Sequence, residues 1–187
     1  MCIYLSEAIE TSAATGSLST RGDRMRPVIW SCLIGALVAV FAASSAAAKE
    51  QPLGAQLAKV RAATAKYHNV ATATADGYVQ VSPCVASAEG GMGFHYRKDA
   101  LLDGQINPLT PEVLVYERKD NGKLRLVAVE YFEWAATVNN IAPTAFGRTL
   151  LGPQTHGIAP HFELHAWLWK HNPSGMFAQW NPRVSCS

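Results

Sequence analysis

Residues Val113 to Trp134 read VLVYERKDNGKLRLVAVEYFEW, two runs rich in β-branched and aromatic residues around Asp120-Asn121-Gly122. This pattern predicts a β-hairpin. A three-residue loop with Gly122 left-handed sets Glu117 opposite Arg125, Val115 opposite Val127 and Val113 opposite Val129. A two-residue Asn-Gly loop sets Arg118 opposite Arg125 instead. Like charges facing across a ladder repel, so the first register is expected. There Glu130 shares a face with Leu124, Leu126, Ala128 and Phe132, an acid in an apolar row, with Glu112 across from it. Two carboxylates in such a place share a proton or hold a cation.

On the N-terminal side, Pro52 is followed by Leu53, Leu57, Val60, Ala63, Tyr67 and Val70, while Lys59, Arg61, Lys66 and Asn69 fall elsewhere. That spacing predicts one amphipathic helix, stopped by Asp76-Gly77 with Gly77 left-handed. Short strands are expected at Tyr78–Val81 and Phe94–Arg97. The glycines Gly90, Gly91 and Gly93 precede the second, with no Lys-Ser/Thr and no helix to make a phosphate-binding loop. Beyond the hairpin, Ala135 to Pro160 shows no sustained period and reads as a long loop. A last strand is expected from Phe162 to Lys170, with Glu163, His165, Trp167 and Trp169 on one face and His161 joining them if the strand starts early. The fold class is α+β: an N-terminal amphipathic helix packed on a mainly antiparallel sheet of four to five strands.

The chain has 187 residues, and its first 48 have the plan of an export segment. Met25-Arg26-Pro27 leads into the apolar stretch Val28 to Ala43, and Ser44-Ser45-Ala46-Ala47-Ala48 supplies small residues for cleavage. Translation is expected to start at Met25, with a signal peptide over residues 25–48 and a single domain over 49–187. An uncleaved Val28–Ala48 would be a membrane anchor, but its second half is weakly apolar; no permanent span is expected after cleavage. The protein is thus read as exported, periplasmic or secreted. Cys2 and Cys32 leave with the leader, so Cys84 and Cys186 are expected to form one disulfide in an oxidising compartment. Neither has the C-x-x-C partner or basic neighbour of a reactive thiol.

Hydrophobic residues make up 49% and charged residues 16%, which excludes a disordered tail. The net charge of +2, without a basic run, gives no electrostatic footprint for nucleic acid. After Ala48 the serines are Ser82, Ser87, Ser174, Ser185 and Ser187, none in a G-x-S-x-G setting, so a hydrolytic triad is not expected.

The segments GGMGFHY (90–96), PEVLVY (111–116), LVAVEY (126–131) and LHAWLWKHNPSGMF (164–177), closing in Asn181-Pro182-Arg183-Val184-Ser185-Cys186, resemble a family of exported bacterial proteins without an assigned activity. The resemblance implies export and one domain, and carries over no catalytic residue.

All six histidines follow the leader. His95, Glu130 and His165, from three strands of one sheet, suit a two-histidine, one-carboxylate site for a divalent transition metal, with His161 or Glu112 as a further ligand. The bland alternative is a hydrogen-bonded polar network without a metal. A reading of another class takes Tyr96, Trp167 and Trp169 as aromatic walls for a small ligand, against ordinary core packing. Assembly through an exposed edge strand, giving a homo-oligomer, also stays open.

Overall fold

The structure, a computed structural model, describes residues 51–155 and 157–186. The expected export segment and His156 lie outside the described residues. Among the described residues no helix is long and apolar enough to cross a membrane.

A helical segment packs on one face of an antiparallel sheet, an α+β arrangement. Helix α1 (Leu53–Thr64) begins where the Pro52 carbonyl accepts bonds from the Ala55 and Gln56 amides. Its buried residues are Leu57, Val60 and Thr64. The expected single helix is broken, however. A 3₁₀ turn (Ala65–His68) and an extended Asn69 precede α2 (Val70–Ala75). Two side chains account for the break. The Tyr116 hydroxyl donates to the Tyr67 carbonyl at 2.7 Å, and Asn69 caps α2 by accepting from the Ala71 amide. Gly77 is left-handed as expected, with the Tyr78 amide on the Ala73 carbonyl and the Gly77 amide on Thr74, a Schellman closure.

The strands are β1 (Val79–Gln80), β2 (Val85–Ser87), β3 (Gly90–Arg97), β4 (Val113–Arg118), β5 (Leu124–Trp134), β6 (Thr144–Ala145), β7 (Arg148–Thr149), β8 (Leu151–Gln154) and β9 (His161–Ala166). Seven form one sheet in the order β1-β3-β4-β5-β9-β8, with β2 also paired to β3. This exceeds the four to five expected: β1 falls within the strand expected at Tyr78–Val81, but β2 and β8 are edge pieces of three and four residues, too short to show alternation. The stretch read as a loop from Ala135 to Pro160 contains the small β6–β7 pair and β8. The last strand is shorter than expected: it ends at Ala166, where the Trp167 amide turns to the Met176 carbonyl.

In the β4–β5 hairpin Glu117 does face Arg125 and Gly122 is left-handed. Further along, the register departs from expectation. Tyr116 pairs with Leu126 but Val115 pairs with Ala128, so Val127 is the extra residue of a β-bulge. Val113 therefore faces Glu130, displacing both Val129 and Glu112 from the positions expected for them. The Val127 carbonyl accepts from the Trp169 and Lys170 amides, which ties the chain after β9 to the bulge.

The bulge decides which face each residue of β5 presents. Leu126, Val129 and Tyr131 join the helix-side core with Leu57, Val60, Tyr67, Leu114 and Tyr116. Val127, Ala128 and Phe132 join a second cluster with Val113, Val115, Trp167 and Val184. Burial of each large apolar side chain contributes roughly 1.5–3 kcal/mol, so both faces are stabilised substantially. The second face is covered by the tail: Asn181 exchanges backbone hydrogen bonds with Gly91, and Cys186 is joined to Cys84, as expected.

Candidate metal centre

The site is built by register. His165 on β9 pairs directly with Glu130 on β5, and Glu130 pairs with Val113 on β4. His95 on β3 pairs with Val115, so it sits diagonally from Glu130 across β4. Only Val113 and Val115 stand on that face of β4 between them, and their short side chains let the imidazole reach over. The His95 Nε2 to Glu130 Oε2 distance is 3.5 Å, and the His165 Nε2 to Glu130 Oε2 distance is 3.9 Å. One ligand atom from each of the three residues lies within 4.8 Å of the others. Donors 2.0–2.1 Å from a tetrahedral ion stand about 3.4 Å apart, so small rotations bring this set onto one cation.

Hydrogen bonds orient the His95 ring. The Ser82 hydroxyl donates to the Pro83 carbonyl at 2.8 Å and lies 2.9 Å from His95 Nδ1. A neutral His95 whose Nδ1–H donates to Ser82 Oγ presents Nε2 as the acceptor nitrogen toward Glu130. That is the tautomer a metal-ligating imidazole needs. The His95 amide also donates to Ser82 Oγ. The His165 ring is stacked on Trp167, centroids 5.7 Å apart, and meets His95 edge to face at 5.9 Å.

Burial raises the Glu130 carboxyl well above the ordinary glutamate range, and the neighbouring Glu163 carboxyl, hydrogen-bonded to it, raises it further. Glu130 Oε2 is buried and has no hydrogen-bond partner among the described residues. An acceptor left so costs on the order of 1–3 kcal/mol. Beside it His161 Nδ1–H donates to the Ala159 carbonyl at 3.0 Å, which aims Nε2 at Glu163 Oε2, 3.2 Å away. Glu163 Oε1 accepts from Gln179 Nε2 at 2.7 Å. A cavity of about 140 Å³ opens over this row, with His95, Glu130, His161, Glu163, Ser82 and Arg97 among its walls.

The structure thus gathers His95, Glu130 and His165, with His161 four residues earlier on β9, opposite Trp134 and beside Glu163. Glu112 lies apart: its carboxylate accepts from the Phe132 amide at 3.2 Å, and burial pushes it up to about 8. The three aromatic residues read as ligand walls do not meet. Tyr96 packs edge-on against Tyr116 and donates to Gln80, Trp167 donates to the Ala178 carbonyl, and Trp169 packs on His68. None of the three lines the cavity over Glu130. Glu163, Ser82 and Arg97 were not singled out from the sequence. Glu163 carried a signal, since it alternates with His161 and His165. Ser82 carried none, because its partner is thirteen residues away on another strand.

No protein-family model, curated protein or solved structure matches the chain.

Proposed function

We propose that the protein binds one divalent transition metal ion through His95 Nε2, Glu130 and His165 Nε2, as an exported bacterial envelope protein. The observation that carries this reading is the buried Glu130 Oε2, without a hydrogen bond, between two imidazole nitrogens at 3.5 and 3.9 Å. Ser82 supports it by holding the His95 ring at Nδ1, 2.9 Å away, with Nε2 toward Glu130. Two imidazoles and a carboxylate suit zinc, iron or copper, and a three-residue set leaves coordination positions for water or a small molecule on the cavity side. Burial and the neighbouring Glu163 favour the protonated Glu130 carboxyl, and an ion would replace that proton.

Export is supported by the leader-like residues 25–48 and by the Cys84–Cys186 disulfide. Residues 49–187 would then act outside the cytoplasm.

The test is elemental analysis of the purified protein after equilibration with zinc, iron and copper salts. About one ion per chain is expected, with uptake lost in His95→Ala and in His165→Ala. An unmetallated wild type whose melting temperature ignores added metal would instead identify the cluster as a structural network. The hydrogen bond between the Glu130 and Glu163 carboxyls is what favours that second reading.

A further inference from the structure

The cavity beside the proposed ion has walls of two kinds. Arg97, whose side chain is 15% exposed, is the cation on its rim; the guanidinium stands over the Phe132 and Trp134 rings, centroids 5.5 and 5.0 Å away. Its partner Asp99 is 66% exposed and meets it from the solvent side, where water screens the pair. The rest of the lining is largely apolar: Val81, Val85, Met92, Phe132 and Ile158. Val81 and Ile158 are 43% and 48% exposed and form an apolar mouth to the cavity.

Charge and size then choose the ligand. The proposed ion at the floor of the cavity and the Arg97 guanidinium on its rim are two positive centres facing one space, so an anion that reaches both is favoured over a neutral or cationic guest. The volume of about 140 Å³ is close to that of an engineered protein cavity that holds benzene, so the enclosed part of the guest, carboxylate included, is roughly the size of a six-carbon ring, with any remainder standing in the open mouth. We propose that this cavity binds a small organic monocarboxylate, its carboxylate shared between the open face of the ion and Arg97 and its short aliphatic or aromatic tail lying against Val81, Val85, Met92, Phe132 and Ile158. This rests on the metal reading above.

The two readings are separated by loading the protein with cobalt(II), whose visible spectrum reports its ligands, and titrating acetate, butyrate and benzoate against butanol, benzyl alcohol and butylamine. The expected result is a spectral change with butyrate and benzoate, weak with acetate and absent with the neutral and cationic probes. Arg97→Gln should keep its cobalt and lose about tenfold in carboxylate affinity, the loss of a charge-assisted hydrogen bond. Ile158→Trp, on an exposed loop, should take up cobalt and respond to acetate but lose about tenfold in benzoate affinity, as a ring fills the mouth. Cobalt uptake with no response to any carboxylate, or with equal response to butanol, overturns the monocarboxylate and leaves the metal reading standing. Failure to take up cobalt overturns both.

Discussion

Glu112, Glu130 and Glu133 are buried in or beside β4 and β5, and desolvation is the main cause holding each above the ordinary glutamate range. Glu112 gives a pH dependence that can be isolated, because it lies outside the proposed ligand set. Its carboxyl titrates at about 8 when folded, against an ordinary value of 4.5. Between those values the folded chain holds a proton that the unfolded chain releases. Its contribution to stability is therefore full below pH 4.5 and is lost as pH rises to about 8. Glu112→Gln keeps an acceptor for the Phe132 amide and removes the ionisation. It is expected to stabilise by about 2–4 kcal/mol near pH 8 and by little near pH 4.5, read from urea unfolding at the two pH values. Equal curves for the two proteins at pH 8 would show that the Glu112 carboxyl is solvated. At this scale the sequence was informative about Glu130, an acid in an apolar strand, and silent about Ser82, whose hydrogen bond to His95 exists only because β3 and the β1–β2 edge are adjacent.

The elements show where local patterns hold and where they give way. Alternation identified β4 and β5 and paired Glu117 with Arg125, since a turn and its first pairs are local. It then assigned Glu130 to the face of Leu124 and Leu126. The bulge at Val127 reverses that parity, and what fixes the bulge is a carbonyl taken by amides more than forty residues later, at Trp169 and Lys170. The helix breaks at Asn69 for a similar reason, the Tyr116 hydroxyl claiming the Tyr67 carbonyl. The glycines of β3 are explained by close approach. A Cβ at Gly91 would stand 2.7 Å from the Val184 carbonyl oxygen and 2.8 Å from Val184 Cγ1. Gly91→Ala is expected to lower stability by about 1–3 kcal/mol by lifting the tail from β3, with faster amide exchange at Asn181 and Val184. Unchanged exchange there would mean the tail accommodates a methyl group without moving.

Across the molecule, the disulfide holds together the parts that cover the site. Cys84 follows Ser82 by two residues, and Cys186 closes the tail that packs on β3, over a separation of 102 residues. Replacing both cysteines by serine is expected to lower the unfolding free energy by about 4–5 kcal/mol, read from denaturant midpoints. It should also weaken metal uptake, because Ser82 would no longer be held against His95. Full metal affinity in that double variant would show that the β2 pairing alone positions Ser82. What the residues determine by themselves is what depends on neighbours in the chain: the leader-like start, the hairpin, the end of α2 at Gly77, the pairing of two cysteines and the choice of His95, Glu130 and His165 as metal-suited side chains. Only the tertiary structure decides that these three meet on the face away from the helix, that Glu163 and Ser82 join them, that Trp167 stacks on His165 without lining the cavity, and that Tyr96 and Trp169 pack elsewhere. The physical reason is that facing and distance across a sheet are set by register, and register here is fixed by a bulge whose partners lie far away in sequence.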